Sequence, residues 1–219
     1  MLSEHFVVEP IAALRAMLVS MHHQGATLLV GVDGPGGAGK SVFARALAQD
    51  MPNAAVVEMD DFFLPSAERS ADDPLTKPIG GDFDWWRVRD QVLRPLSKRC
   101  TAAYRRYDWE TDRLAEEHCV PPGAIVIVEG VYSTRDALAS YYDFTIWVEC
   151  PRELRLARGI ARSGEQIRER WENDWMIAED RYIASQRPQN RASLILDGSG
   201  TIPHDLSREY VRLFTPQTA

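Results

Sequence analysis

The stretch that decides the fold is Gly34-Pro35-Gly36-Gly37-Ala38-Gly39-Lys40-Ser41, which matches the pattern GxxxxGK[ST]. The apolar run over residues 27–32 predicts a buried parallel strand before it, and residues 42–47 carry apolar side chains at helical spacing after it. A glycine-rich turn between a strand and a helix directs several backbone N–H groups and the positive end of the helix at one point. The sequence therefore predicts a phosphate-binding loop, called the P-loop below.

The residue types of the P-loop indicate a nucleoside triphosphate, which we expect to be ATP. Lys40 is expected to reach the β- and γ-phosphates as a catalytic cation, and the hydroxyl of Ser41 is expected to ligate Mg²⁺. Lysine is rare in this chain, because Lys77 and Lys98 are the only others. The position of each lysine is therefore informative. The predicted nucleotide-binding residues are Gly34, Gly36, Gly37, Ala38, Gly39, Lys40, Ser41 and Val42.

Strand and helix patterns alternate outward from the P-loop, which favours a parallel sheet covered by helices on both faces. The predicted fold class is α/β, a P-loop NTPase with a parallel β-sheet flanked by helices and a helical lid. We expect one P-loop domain over residues 1–219. Strands are predicted at residues 27–32, 54–59, 124–130, 144–148 and 194–197, and helices at 10–21, at 84–97 and, with a break near Ser163-Gly164, at 151–187.

Length and composition describe one ordinary globular domain. The chain has 219 residues, 45% of them hydrophobic, and a formal net charge of -7, which argues against a nucleic acid polymer or an anionic membrane as a partner. Three cysteines without a CxxC pair favour neither a disulfide framework nor a zinc site. Glu4 and Glu9 interrupt the N-terminal apolar residues, so a signal peptide is not expected. We expect a cytoplasmic protein; its oligomeric state stays open, a homo-oligomer included.

Acidic residues follow two of the predicted strands, where parallel sheets line their ligand crevice. Asp60 and Asp61 come after the strand at 54–59, and one of them is a candidate base for the attacking hydroxyl. Glu129 ends the most apolar strand, where a carboxylate is costly to bury unless it meets a cation or a polar network. The hydration shell of Mg²⁺ would supply such a network, so Glu129 is a candidate metal-associated residue.

The segment after residue 151 is rich in arginine. Arg155, Arg158 and Arg162 fall on one face of a helix, which could close over ATP as a lid spanning about residues 151–187. Glutamates lie among them, so a solvated, salt-bridged helix is an alternative for any single arginine. We take Arg158 and Arg162 as candidate catalytic cations over the transferring phosphoryl group.

Other classes of P-loop protein fit the sequence less well. A GTPase needs an NKxD motif to read guanine, and none of the three lysines follows an asparagine. The chain also carries no LSGGQ-like signature, and it is short for a remodelling ATPase with an additional helical domain. A small-molecule kinase remains.

The order of motifs resembles the uridine kinase and phosphoribulokinase superfamily of P-loop kinases. The segments that carry the resemblance are VDGPGGAGKS, MDDFF, DFDWW, RYDW, IVIVEG and RLARGIAR, and together they cover about residues 27–197. The resemblance implies that Asp60 is the catalytic aspartate, in contact with the acceptor and with Mg²⁺, and that Glu129 is associated with Mg²⁺. It also implies that Phe83, Asp84 and Tyr107 bind the acceptor.

The chain departs from uridine kinases at the acceptor. Residues 109–113 (Trp-Glu-Thr-Asp-Arg) stand where those enzymes have a histidine that reads the base, and His118 comes several positions too late. The expected function is transfer of the γ-phosphate of ATP to a primary hydroxyl, most simply that of uridine or cytidine. Nicotinamide riboside, pantothenate or a sugar remain as other acceptors. A regulatory protein that uses ATP occupancy as a switch is the alternative from another class.

Overall fold

The computed structural model describes residues 6–23, 25–51, 53–70 and 73–214. Its centre is a seven-stranded sheet with the order β1-β9-β8-β7-β2-β6-β3, beside a two-stranded sheet of β4 and β5. The strands are β1 (Phe6–Pro10), β2 (Leu28–Asp33), β3 (Ala54–Glu58), β4 (Ala102–Asp108), β5 (Arg113–Val120), β6 (Ile125–Glu129), β7 (Phe144–Glu149), β8 (Leu194–Asp197) and β9 (Glu209–Leu213).

Helices cover both faces of the sheet, and two π-helical segments each join two neighbouring helices. The helices are α1 (Ile11–Met21), α2 (Lys40–Ala48), α3 (Trp85–Arg87), α4 (Arg94–Ser97), α5 (Asp136–Ala139), α6 (Arg152–Ser163), α7 (Arg168–Arg170) and α8 (Met176–Gln186). The π segments are Val88–Leu93, between α3 and α4, and Trp171–Trp175, between α7 and α8. Two hydrophobic clusters, one on each face of the sheet, form the bulk of the core.

The five strands from β8 to β3 in the sheet order run parallel, as the apolar runs in the sequence predict. Every residue of β2 and of β6 is buried, and these two strands pair in parallel at the centre of the sheet. Strands buried on both faces read as continuous apolar runs, which explains why the sequence identifies them so readily. The predicted α/β P-loop fold is confirmed.

The edge of the sheet differs from the prediction of a purely parallel sheet. β9 pairs antiparallel with β8, and β1 pairs antiparallel with β9. Half-exposed edge strands carry mixed apolar and polar residues, so their pattern is weak; Phe6, Val7 and Val8 are all exposed.

The hairpin of β4 and β5 was not predicted either, although buried and exposed residues alternate over the first part of β4. It packs beside the turn that follows β3 and carries Tyr104, Tyr107 and Trp109 towards that turn. The hairpin therefore adds an aromatic surface next to the carboxyl edge of the sheet.

The parallel strands all end on one side, and this side holds the acidic residues of the site. Register pairs Glu58 of β3 with Glu129 of β6, while β2 ends at Asp33 just before the P-loop. Parallel α/β sheets bind ligands outside the carboxyl ends of their strands. None of the helices within the described residues is both long and apolar enough to span a bilayer.

Candidate active site

The P-loop passes closely over its neighbours, and its glycines make this possible. Gly34 has φ +152°, and a Cβ there would lie 2.5 Å from the backbone oxygen of Val148 in β7. Gly37 has φ +77°, and a Cβ there would lie 2.7 Å from the backbone oxygen of Arg155 in α6. A side chain at either position is therefore excluded both by backbone conformation and by space. The loop is fixed between the sheet and α6.

Lys40 is buried at the start of α2, and its Nζ donates to the backbone oxygen of Pro35 at 2.9 Å. Beside it, the side chain of Ser41 donates to the carboxylate of Glu129. Burial raises the pKa of Glu129, while the charge of Lys40 and the Ser41 hydroxyl act in the opposite direction. The structure thus brings the predicted cation, the predicted metal-ligating hydroxyl and a strand-end carboxylate into one group.

The two adjacent aspartates face different surroundings. Asp60 lines the main cavity, where its side chain is exposed to solvent. The cavity walls around it raise the pKa of Asp60, and the charge of Lys40 acts to lower it. Asp61 instead accepts a hydrogen bond from the hydroxyl of Tyr104 at 3.1 Å, on the hairpin side. Burial also raises the pKa of Asp61. Of the two, Asp60 is the carboxylate that faces the P-loop lysine.

The main cavity has a volume of about 590 Å³, enough for a small molecule beside a triphosphate. We call the part formed by the P-loop, Asp60 and Glu129 the donor half. We call the part formed by the loop over residues 77–83 with Phe63, Trp109 and Trp175 the acceptor half. The aromatic residues that line the cavity are Phe63, Phe83, Trp109, Tyr132, Trp171 and Trp175.

The residues that the resemblance assigns to the acceptor separate in the structure. Phe83 lines the cavity, 5.0 Å from Phe63 between ring centres. Asp84 lies outside the described lining, and its carboxylate caps α3 by accepting from the Arg87 N–H at 3.2 Å. Tyr107 also lies outside it, buried, with its hydroxyl donating to Asp112 at 2.6 Å. Only Phe83 of these three thus contacts the cavity.

Sequence reasoning missed several residues of the acceptor half. Trp109 is 48% exposed and stacks on Phe63 with ring centres 4.5 Å apart at the cavity wall. Lys77 is buried in the same wall and forms an ion pair with Asp82 at 2.7 Å. The rarity of lysine in the chain was the sequence signal that pointed to Lys77. The signal for Trp109 was its position in the segment where uridine kinases have a histidine that reads the base. Asp82 gave none, because it lies in a loop without periodicity.

The predicted lid corresponds to α6, α7, α8 and the turns between them. Arg158 and Arg162 both line the cavity. The guanidinium of Arg158 donates to the backbone oxygens of Gly198 and Ser199 at 2.7 Å each, so it joins α6 to the loop after β8. Arg162 is exposed, and its charge lowers the pKa of Asp60. Of the two predicted catalytic cations, Arg162 is thus the one whose charge acts on Asp60.

A buried carboxylate from α8 touches the P-loop. Glu179 accepts from the Gly36 N–H at 3.1 Å and from Arg155 at 3.0 Å, and burial raises its pKa. This contact joins the lid to the phosphate-binding backbone.

A second cavity of about 290 Å³ lies on the other side of the P-loop. Gly37, Gly39, Val42 and Arg158 line both cavities. The second one also takes Ala38 of the P-loop and, from the C-terminal part of the chain, Gly198, Gly200, His204 and Leu206. The P-loop therefore separates a large acidic and aromatic cavity from a smaller one.

Comparison with known proteins identifies the family. The family model described as "Phosphoribulokinase / Uridine kinase family" matches residues 81–195, more than half of the chain. The chain belongs to the phosphoribulokinase / uridine kinase family. The prediction of a uridine kinase-like P-loop kinase is confirmed at the level of family and fold.

Two curated relatives share parts of the chain. It is 28% identical over 169 residues to "Inorganic pyrophosphatase TTM2" of Arabidopsis thaliana, a match that covers 72% of this chain but 24% of that protein. It is 27% identical over 147 residues to "Uridine kinase" of Alkaliphilus metalliredigens, covering 64% of this chain and 69% of that protein. The chain therefore spans about a quarter of the length of the plant relative.

A solved structure supports the fold. "Structure of a Possible Uridine Kinase from Bacillus stearothermophilus" superposes with a TM-score of 0.67 at 23% identity, covering 84% of this chain and 96% of that one. The similarity at this identity concerns the fold, and extends over most of both chains.

Proposed function

We propose that this protein is an ATP-dependent kinase that transfers the γ-phosphate to the primary hydroxyl of a nucleoside, uridine or cytidine being the simplest acceptors. The observation that carries the proposal is that Lys40, Asp60 and Glu129 line the same cavity as a group of aromatic side chains. Phosphoryl transfer to an alcohol needs a cation at the phosphates, a carboxylate at the attacking hydroxyl and a site for the acceptor. This cavity combines all three.

In the proposed reaction, the acceptor oxygen attacks the γ-phosphorus, its bond to that phosphorus forms, and the bond to the β,γ-bridging oxygen breaks so that ADP leaves. Asp60 orients the hydroxyl and takes its proton. Lys40 stabilises the charge that develops on the phosphate oxygens, and Arg162 adds a second positive charge from the lid. The backbone N–H groups of the P-loop hold the phosphates throughout.

Mg²⁺ fits the donor half, since Ser41, Glu129 and Asp60 supply oxygen atoms around Lys40 and hard cations prefer oxygen ligands. When bound, Mg²⁺ would offset the negative charge of the phosphates. Within the described ranges, no group of three or more His, Cys, Asp or Glu side chains lies together as a ready-made metal site. Such a donor set suits a cation that shares its ligands with the phosphates and water.

The smaller cavity fits the base of the nucleotide, and the main cavity fits its γ-phosphate and the acceptor. In this proposal, a nucleoside triphosphate bound along the P-loop places its base on the side of the smaller cavity, against Val42 and Leu206. Its γ-phosphate then lies on the side of Asp60. The acceptor base then stacks on the aromatic wall that includes Phe63, Phe83 and Trp109. Residues 151–187 act as the lid of a single kinase domain.

A coupled ADP-release assay across nucleosides, nicotinamide riboside, pantothenate and sugars tests this proposal. Uridine or cytidine should raise ADP release many-fold over the rate without acceptor. If nucleosides have no effect while a sugar or pantothenate does, the kinase proposal holds and the nucleoside acceptor is wrong. Slow hydrolysis that no acceptor changes would instead support the regulatory switch.

A further inference from the structure

The most unusual feature of the acceptor half is an ion pair in its wall. Lys77 donates to Asp82 at 2.7 Å and lies 3.0 Å from Asp174, and the side chains of these three residues are 6%, 11% and 28% exposed. A buried ion pair adds little net stability, because the cost of removing both charges from water offsets their attraction. Lys77 and Asp82 both line the cavity. Their position in the wall therefore points to a role towards the ligand.

The pair is held rigidly from several directions. Arg181 of α8 donates to the backbone oxygens of Pro74 and Lys77, at 2.6 and 2.8 Å, which fixes the backbone at Lys77. The backbone oxygen of Asp82 accepts from the Leu64 N–H at 2.9 Å. Leu64 follows the turn that carries Asp60, so Asp82 is tied to the segment of the candidate base. Fixed partners of this kind hold a binding group in one geometry.

The pair also has hydrogen-bonding capacity to spare. An ammonium has three N–H donors, and Asp82 and Asp174 account for two contacts of Lys77. A carboxylate has about four lone-pair sites, and Lys77 takes one of them, on Oδ2 of Asp82. The remaining donor and acceptor sites belong to two bonded side chains that line the same cavity. A diol presents the complementary pattern, since one hydroxyl can donate to Asp82 while its neighbour accepts from Lys77.

Charge selects further among acceptors. The cluster of Lys77, Asp82 and Asp174 carries a net charge of about -1, since the carboxylates outnumber the ammonium. The arginines that line the cavity, Arg158, Arg162 and Arg170, belong to the lid and not to this cluster. Burial lowers the pKa of Lys77, but the hydrogen bond that Lys77 donates to Asp82 and the nearby carboxylate of Asp174 outweigh this effect and raise the pKa. An uncharged acceptor that contacts this cluster meets no repulsion from it, whereas a carboxylate placed beside Asp82 does.

We propose that Asp82 and Lys77 are the acceptor-binding pair and that they take an uncharged acceptor with vicinal hydroxyl groups. This inference rests on the proposed function, since it assigns the acceptor side of the same site. It gives Asp82 the role that the family resemblance gives to Asp84, whose carboxylate is occupied as a helix cap. The ribose of a nucleoside and a free sugar both carry the required chemistry.

The test compares substitutions at Asp82 and Lys77 by acceptor binding and by turnover. Binding of a ribonucleoside, its 2′-deoxy form, free ribose and glycerate is measured by tryptophan fluorescence, because three tryptophans line the cavity. The unaltered protein should favour the ribonucleoside over the deoxy form by about ten- to a hundred-fold in kcat/KM. Asp82→Asn and Lys77→Met should reduce that ratio towards one. If free ribose binds and the ribonucleoside does not, the acceptor with vicinal hydroxyl groups is a free sugar.

Matched controls are available on the surface. Asp50→Asn and Lys98→Met make the same changes at exposed positions outside the cavity, and should leave the ratio unchanged. If Lys77→Met fails to fold, Asp82→Asn still decides, because it preserves shape and volume. If Asp84→Asn reduces the ratio and Asp82→Asn does not, the inference is overturned. Preference for glycerate over the neutral acceptors overturns it as well.

The two proposals fail in different ways. Binding of a diol acceptor that depends on Asp82, without any phosphorylated product, would refute the kinase function and support the acceptor-binding pair. Phosphorylation of acceptors with and without vicinal hydroxyls at equal kcat/KM would refute the pair and leave the kinase function standing.

Discussion

The donor half and the acceptor half of the cavity are assembled in different ways. The donor half comes from one continuous segment, Gly34 to Ser41, from Glu129 at the end of the buried strand β6 and from Asp60 in the turn after β3. The acceptor half combines the loop over residues 77–83, the hairpin residue Trp109 and the lid residue Trp175. Local backbone geometry fixes the first, whereas contacts between distant segments fix the second. Changes in the donor half should therefore stop the chemistry, and changes in the acceptor half should alter the choice of acceptor.

The largest effect is expected for Lys40→Ala. The ammonium is buried beside the P-loop and has no apolar packing role, so its loss should lower kcat by about 10³-fold with the fold intact. Turnover and circular dichroism check this together. Lys98→Ala, at an exposed position, is the matched control. A variant with a tenth of the original activity would contradict the role of Lys40.

The next effect separates the adjacent aspartates. Asp60→Asn should lower kcat by about 10²-fold with ATP affinity little changed, as expected for a lost general base. Asp61→Asn should change kcat far less, because that carboxylate bonds to Tyr104 rather than facing the cavity. Steady-state kinetics with ATP and acceptor varied in turn measure both. The reverse order of effects would assign the base to Asp61.

The pH dependence follows from the same carboxylate. The cavity walls around Asp60 raise its pKa, and the charge of Arg162 lowers it. Asp60 acts in its deprotonated form, so kcat/KM should fall as the pH drops through a pKa above the ordinary aspartate value. Arg162→Gln removes a charge that lowers this pKa, and should therefore move the acid limb of the profile to higher pH.

Arg168→Gln is the control for that shift. Arg168 lies on the lid, paired with Glu165, outside the described cavity lining. Its substitution should leave the acid limb where it is. An acid limb that moves to lower pH in Arg162→Gln would contradict the proposed electrostatic coupling.

The smallest effect tests the aromatic wall. Trp109→Ala removes a ring stacked on Phe63 and should raise the KM for a nucleoside about tenfold, because stacking on a base contributes about 1–3 kcal/mol. The KM for ATP should stay the same. Trp86→Ala is the matched control, since Trp86 is exposed and stacks on Trp85 away from the cavity. Equal KM values for the nucleoside in both variants would show that Trp109 does not contribute to acceptor binding.

The same contrast explains how far the sequence could be read. The P-loop and the buried strands β2 and β6 are local patterns, and the order of motifs identifies the family. Asp82 and Asp84 are both acidic residues in one short stretch, and only the cap of α3 and the ion pair to Lys77 distinguish them. The edge strands β1 and β9 and the hairpin were missed because half-exposed strands have weak patterns. Such features depend on tertiary contacts that no single segment encodes.

The central claim is that the cavity couples ATP cleavage to phosphorylation of a hydroxyl. The most direct measurement is the ratio of ADP to phosphorylated acceptor formed with ATP, Mg²⁺ and the best nucleoside of the panel, with the product identified by mass spectrometry. The account predicts one phosphorylated acceptor for each ADP, and loss of both products in Asp60→Asn. ADP accompanied by inorganic phosphate, at a rate that neither the acceptor nor Asp60→Asn changes, would contradict it.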